Sequence, residues 1–341
     1  MNTFSTSQLL GALASLHQPP RFLLDRFFPN VVNFDTKEVS FDLEDDDLHL
    51  APFVSPVVAG KAEKAKGFET KSFTPAYVKP KNQINPNMPL IRRPGEQYAG
   101  TMTAGERRIM AINETLRRQR ERIIRRKEWM AAQALITGKV IVEGDDCPKQ
   151  EVNFGRASGH NITLTSSNRW GESGVKPGEN LDAWMDKVAE AVGAGCDLVV
   201  MGKKAWQLLT ADDDFMKMLN RDYGQSSLVE LGYQTGMPGT PQYKGKAGDV
   251  ELVTYNGTYK DEEGVTQKIL GDYDVLVAAT GAHNGFQLNG AILDGTAGYQ
   301  PFEYFPKNWI ENDPAVEFVM MQSAPLVAPG RPNAVLRAKV R

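Results

Sequence analysis

The sequence predicts an α+β protein hung on one long helix, and three observations carry that expectation. Residues 103–137, TAGERRIMAINETLRRQRERIIRRKEWMAAQALIT, contain no proline, place their one glycine in the first turn, and keep apolar residues at helical spacing. β-patterned segments stand on both sides: 53–58 and 72–79 before the helix, 139–143 and 151–154 after it, and more near the chain end. From 180 to 290 short helical and β patterns mix, as in a separate α/β unit. At 1.5 Å per residue the long helix measures about 50 Å, the width of a small domain, so the other elements must be arranged along it.

The elements follow in order. Residues 5–16 predict a short amphipathic helix ended by Pro19-Pro20. RFLLDRFF, 21–28, packs five large apolar side chains into eight residues and reads either as a core helix or as an arm that docks on a neighbour. DLEDDD, 42–47, lacks the glycine and terminal glutamate of a calcium loop and reads as a solvated turn or as a partner for a basic surface. Prolines at 52, 56, 75, 80, 86, 89 and 94 exclude long helices, so 51–95 is expected to be an extended hairpin with a basic tip, 61–71, and a proline-rich connector. An isolated hairpin is marginal in water and needs a surface to lie on. The long helix starts with a capping box, Thr103 and Glu106, and stops at Gly138. Ile109, Ile112, Leu116, Ile123 and Met130 mark its apolar seam, and Glu114–Arg118 and Glu121–Arg125 stand at i,i+4. A hairpin over 139–154 follows, then a polar loop, 163–178, taken as a domain boundary. Asn180 is expected to cap a helix bearing Leu181, Trp184, Met185, Val188 and Val192; strands at 197–201, 250–255 and 274–279, helices at 203–209 and 213–220, the latter capped by Asp212, and a glycine-rich loop over 224–248 complete that unit. Tail strands near 304–309, 318–325 and 335–340 are expected to pair with the 139–154 hairpin.

Composition narrows the function. A chain of 341 residues has room for two domains, and its net charge of −3 exerts no global pull on nucleic acid. The charge is nonetheless blocked: 3 Lys/Arg against 8 Asp/Glu in 1–50, 17 against 7 in 51–128, and 19 against 27 in 129–341. Alternating blocks favour contact between blocks, within or between chains. Two cysteines, Cys147 and Cys196, make no disulfide framework or metal pattern and read as free thiols. No apolar run is long enough to span a bilayer, and no secretory signal is expected, so no membrane partner is predicted. The four histidines are scattered, and no zinc-hydrolase, nucleophile-elbow, phosphate-loop or dinucleotide fingerprint occurs. No enzyme activity, cofactor or metal is expected. Eight arginines and one lysine between 107 and 127 leave a phosphate-binding helix open as an alternative, with only Trp129 available for stacking.

Particular stretches then resemble a known family. FVSPVVAG at 53–60, SFTPAYVKPK at 72–81, ALITGKVIVEG at 134–144, VNFGR at 152–156, NIT at 161–163 and YFPKNWIENDPAVEFVMMQSAPL at 304–326 are similar to the lambda-type major capsid proteins of tailed phages, including prophage copies. Those proteins carry the Hong Kong 97 capsid fold. The resemblance spans essentially the whole chain and is weakest over 200–290. It implies an N-terminal arm (1–50), an extended hairpin loop lying on an adjacent subunit (51–100), a peripheral domain whose spine is the long helix (101–175 and 304–341), and an axial domain (176–303). It also implies no long cleaved N-terminal scaffolding domain.

The implied function is self-assembly into pentamers and hexamers of an icosahedral head around double-stranded DNA. Assembly in the host bacterial cytoplasm would involve a scaffold or protease, a portal and a decoration protein, with non-specific contact to packaged DNA. The expected assembly contacts are Phe53, Lys64, Phe73, Tyr77 and Lys79 of the hairpin, Arg118, Arg122 and Arg125 of the spine, and Trp309 of the tail. Lys61, Lys64, Lys66 and Lys71 are not expected to form lysine–asparagine cross-links. The alternatives are a DNA-binding structural protein using the basic helix, and a microbial compartment shell protein of the same fold.

Overall fold

The computed structural model describes residues 4–15, 21–36, 38–43, 69–91, 102–144, 147–220, 240–261, 263–313 and 315–341. In chain order the elements are α1 (Thr6–Ser15), α2 (Phe22–Phe27), β1 (Asn30–Asn33), β2 (Val39–Leu43), β3 (Glu69–Phe73), β4 (Lys81–Ile84) and the spine α3 (Ala104–Thr137). Then come β5 (Lys139–Gly144), β6 (Cys147–Asn153), β7 (Asn161–Thr163), α4 (Pro177–Val192), β8 (Leu198–Met201), α5 (Lys203–Leu209), α6 (Asp213–Met218) and β9 (Leu219–Asn220). The remainder is β10 (Gln242–Ala247), β11 (Val250–Thr254), β12 (Thr258–Lys260), β13 (Thr266–Lys268), β14 (Asp274–Ala278), β15 (Phe286–Asn289), β16 (Phe305–Asn312), β17 (Ala315–Gln322), β18 (Pro325–Ala328) and β19 (Val335–Lys339).

The ends of α3 are fixed by local chemistry. Thr103 N–H donates to Glu106 Oε2 at 2.7 Å, and Glu106 N–H donates to Thr103 Oγ1 at 3.2 Å, so the capping box forms. Gly138 closes the other end at φ +73°, where its N–H donates to the Ala134 carbonyl. Arg156 finishes that end, donating to the Leu135 carbonyl (2.7 Å) and to the Ala134 carbonyl (2.6 Å), which it shares with the Gly138 N–H.

α3 runs through two cores. Its N-terminal half buries Ala111, Ile112, Leu116 and Ile123 against Leu9 and Leu13 of α1, Ile84 of β4, and Val319 and Met321 of β17. This half lies with a three-stranded sheet, β16–β17–β4. Its C-terminal half buries Met130, Ala131, Ala134 and Leu135 with α2 and with one face of a seven-stranded sheet, ordered β7-β19-β14-β8-β11-β10-β9. The strands of that sheet alternate as a two-residue period requires. Leu198, Val200, Leu276 and Ala278 face the spine. Val199, Met201, Val275 and Val277 face α4 and α5, where Trp184 stacks on Trp170 with centroids 5.7 Å apart. α2 answers the open question about 21–28: Phe22, Leu23, Leu24, Phe27 and Phe28 are all buried in their own subunit. Burying those five side chains contributes on the order of 10 kcal/mol gross, before chain entropy is charged against it.

Several expectations are corrected. The tail does not pair with the 139–154 hairpin, which forms its own ribbon, β5–β6. Instead β17 pairs with β16 and β4, β18 with β15, and β19 inserts between β14 and β7. The tail boundary placed at 304 is therefore crossed by two sheets. Val335, Leu336 and Ala338 are apolar enough to fill an interior sheet position, which an edge ribbon such as β5–β6 does not offer. On its described edge β3 pairs with β2, Val39 opposite Phe73 and Leu43 opposite Glu69; 53–58, its expected partner, lies outside the described residues. Ile109 is exposed, so the buried seam starts at Ala111. Glu121 pairs with Arg117 rather than Arg125. α4 begins at Pro177, whose missing N–H costs nothing in a first turn, and Asn180 instead accepts a hydrogen bond from Trp170 Nε1 at 3.1 Å. Within the glycine-rich stretch, 242–247 is a strand, β10, paired with β11, while 221–239 lies outside the described residues.

Candidate assembly surfaces

The charged residues of α3 divide into two sets. The first ties the spine to its own subunit. Lys127 is only 1% exposed. Its Nζ reaches Glu303 at 2.9 Å and Asn289 Oδ1 at 3.4 Å, beneath the Tyr304 ring. Burial pushes the Lys127 ammonium below the usual lysine range, and Glu303 opposes that shift. Glu128, buried on the other flank, accepts from the N–H groups of Leu23 (2.8 Å) and Leu24 (3.1 Å) and from the Tyr255 hydroxyl (2.9 Å). One carboxylate thus holds the N-terminus of α2, the spine and the end of β11. Burial pushes its pKa up to about 7 against the pull of those three donors. Arg108 grips Glu317 of β17 through two 2.8 Å bonds, and Glu317 also accepts from Asn308 Nδ2.

The second set faces outward. Among the described residues Arg118 pairs with Glu114 of its own helix, at 2.8 Å, and that carboxyl is drawn down to about 2, chiefly by its hydrogen bond to Arg117. Arg122, Arg125 and Arg126 are exposed and have no ion pair among the described residues. They stand over a cleft of about 970 Å³ between α3 and the β12–β13 ribbon. Arg126 lies 5.3 Å from the Trp129 ring at its base.

Of the expected contacts, Phe53 and Lys64 lie outside the described residues. Phe73 is partly buried against the core around α2. The Tyr77 hydroxyl donates to the Ala291 carbonyl, which leaves its ring beneath the exposed Lys79 ammonium, 4.8 Å away. Trp309 stacks on Phe318 at 5.5 Å, and Lys81 covers both rings, 4.9 and 4.0 Å from their centroids. Tyr77 and Trp309 are therefore engaged inside the subunit. Arg122 and Arg125 are the expected residues that stand exposed without an ion pair among the described residues.

Comparison with known proteins decides what these surfaces belong to. A family model described as phage major capsid protein E matches residues 5–340. The chain belongs to that family. It is 32% identical over 348 residues to a P21 prophage-derived major head protein of Escherichia coli O6:H1, covering all of both chains. It is 31% identical over 340 residues to the major capsid protein of Escherichia phage lambda, covering 98% of each. The crystal structure of a prophage capsid protein from E. coli CFT073 superposes with a TM-score of 0.80 at 28% identity, covering 99% of each chain.

For a member of the phage capsid family, the informative surface is one that sequence reading missed. Met88, Leu90, Ile91, Ile109 and Met110 are all exposed, Leu90 by 72%. They gather where the 3₁₀ turn Met88–Leu90 packs beside the start of α3, held there by Arg107 donating to the Pro89 carbonyl at 3.5 Å. Lys127, Glu128 and Arg120 were missed as well, although helical phase marked two of them. Residues 120 and 127 each stand four after a buried apolar residue, Leu116 and Ile123, and so share the inward stripe.

Proposed function

We propose that this chain is the repeating subunit of a phage head, joining copies of itself into five- and six-membered rings that close into an icosahedral shell around double-stranded DNA. The observation that carries this reading furthest is the exposed apolar cluster at the spine's N-terminal end, on a chain whose full length aligns with phage head proteins. The axial unit around the seven-stranded sheet would point to the ring centre and the spine would lie at the ring's edge. Rings of five and six need heterologous contacts, and many weak ones multiply into a stable shell. A scaffold or protease, a portal and a decoration protein would act with it in the host cytoplasm, and the inward basic surface would meet packaged DNA without sequence readout. The compartment-shell alternative shares the fold but not the full-length identity to phage head proteins.

The test is the triple substitution Leu90→Asp, Ile91→Asp and Met110→Asp. All three side chains are exposed, so the isolated subunit should keep its stability to within about 0.5 kcal/mol. Sedimentation velocity should show the wild-type chain forming rings or shells and the variant remaining monomeric. Normal shells from the triple variant would contradict the assignment of this cluster.

A further inference from the structure

We propose that Lys127 forms an isopeptide bond with Asn289 of the same chain, with Glu303 carrying the proton. The bond lies inside one subunit, at residues other than the hairpin lysines, and does not depend on assembly. It would staple the spine to the sheet that holds β1 and restrict the unfolded chain by closing a long loop.

The three groups stand together in the interior. Lys127 and Asn289 are each 1% exposed. Lys127 Nζ lies 3.4 Å from Asn289 Oδ1 and 2.9 Å from Glu303 Oε1, and the Tyr304 ring covers it at 5.2 Å. Both reacting residues sit on fixed elements. Lys127 belongs to α3, and Asn289 lies in β15 between Asn33 of β1 and Pro325 of β18. Asn289 Nδ2 donates to Asn33 Oδ1 at 2.9 Å, which leaves the carbonyl edge of the carboxamide towards Lys127. Groups held this way react as if at about 10⁵ M or more. Burial weakens the hold of the Lys127 ammonium on its proton and keeps out the water that would compete for the carboxamide. The usual rival nucleophile is the amide of the following residue, which closes Asn-Gly pairs to a cyclic imide. Here the Gly290 N–H is engaged, donating to the Ala324 carbonyl at 2.9 Å.

The step balances with the groups at hand. The Lys127 ammonium passes a proton to Glu303, and the neutral Nζ attacks Asn289 Cγ. The Cγ–Nδ2 bond breaks and a secondary amide joins Nζ to Cγ. Nδ2 leaves as ammonium, carrying both protons that Nζ gave up, and Glu303 is ionised again. Nothing is oxidised or reduced, and the chain becomes lighter by one ammonia, about 17 Da. Each attack requires the ion pair to give up its proton first, so the bond accumulates after folding. A freshly made subunit carries the ion pair alone, and its stability reports that pair.

Intact mass spectrometry of the denatured full chain, fresh and after prolonged warm incubation in the folded state, tests this. Wild type should lose about 17 Da on incubation, and digestion should then yield one branched peptide that joins the Lys127 and Asn289 segments. Lys127→Met should keep its full mass. Glu303→Gln, altered at a side chain that is 35% exposed and so compatible with folding, should lose the ammonia at least about tenfold more slowly. The proposal is overturned if incubated wild type keeps its full mass. It is equally overturned if the loss maps within a single peptide, which would be the cyclic imide of an Asn-Gly pair, or if Glu303→Gln loses ammonia at the wild-type rate.

Discussion

Glu128→Gln probes the junction that holds arm helix, spine and axial sheet together. In the folded chain the carboxyl is 3% exposed and its pKa is raised from 4.5 to about 7, chiefly by burial. In the unfolded chain it titrates in the ordinary range. Between those values the unfolded state has already released the proton that the folded state retains, so stability falls as pH rises and the loss is complete above pH 7. The shift corresponds to about 3 kcal/mol at 1.36 kcal/mol per pH unit. Glutamine does not titrate. Its one acceptor oxygen can stand at the Oε1 position, which serves both the Leu23 amide and the Tyr255 hydroxyl, and its NH₂ then faces the Leu24 amide and loses that bond. Chemical denaturation of the unassembled wild type and variant at pH 5, 6, 7 and 8 should show the variant gaining about 2–3 kcal/mol relative to wild type across that range. A difference that stays flat with pH would refute the assignment of a raised pKa to this buried carboxylate.

Other substitutions separate pairs whose survivor is buried from pairs whose survivor meets water. Arg108→Ala leaves the buried Glu317 without its cation at the interface of α3 and β17, with Asn308 still donating to it, and thermal or chemical denaturation should report a loss of about 3–5 kcal/mol. Lys127→Met should cost under about 1 kcal/mol or stabilise, because Glu303 keeps 35% of its side chain exposed and lies 3.7 Å from Arg21. A large loss there would show that the ion pair is structurally required. Gly138→Ala should cost about 1–3 kcal/mol, since φ is +73° and a Cβ would stand 2.9 Å from Arg156 Cβ; unchanged denaturation midpoints would contradict the capping geometry.

The frame of this fold was legible in the sequence wherever local chemistry decides the outcome. Thr103, Glu106 and Gly138 act through neighbours three or four residues away, so the spine's ends could be read directly. Asp212 likewise caps α6, accepting from Asp214 and Phe215 N–H. Strand partners were not legible, because pairing is decided by burial across long separations. The tail strand Val335–Lys339 reads the same as an edge or a central strand until Asp274–Ala278 and Asn161–Thr163 are placed beside it. Asn180 looked like a cap because Pro177 did not look like a start. The surfaces were read unevenly for a similar reason. Arg122 and Arg125 were visible as part of the basic run 107–127, although spacing paired Arg125 with Glu121, whereas the Met88–Met110 cluster is built from two segments, each unremarkable alone. Ile109 belongs to the seam by spacing, and spacing cannot tell a core position from a face left open at a helix end.

The central claim is that a rigid spine finished within its own subunit carries surfaces finished only by further copies. Electron microscopy with sedimentation velocity on the purified full chain, with and without a scaffold, tests it most directly. Rings of five and six subunits and closed shells are predicted, lost in the Leu90/Ile91/Met110 aspartate variant while its melting curve is unchanged. A chain that stays monomeric at high concentration under every such condition would contradict it.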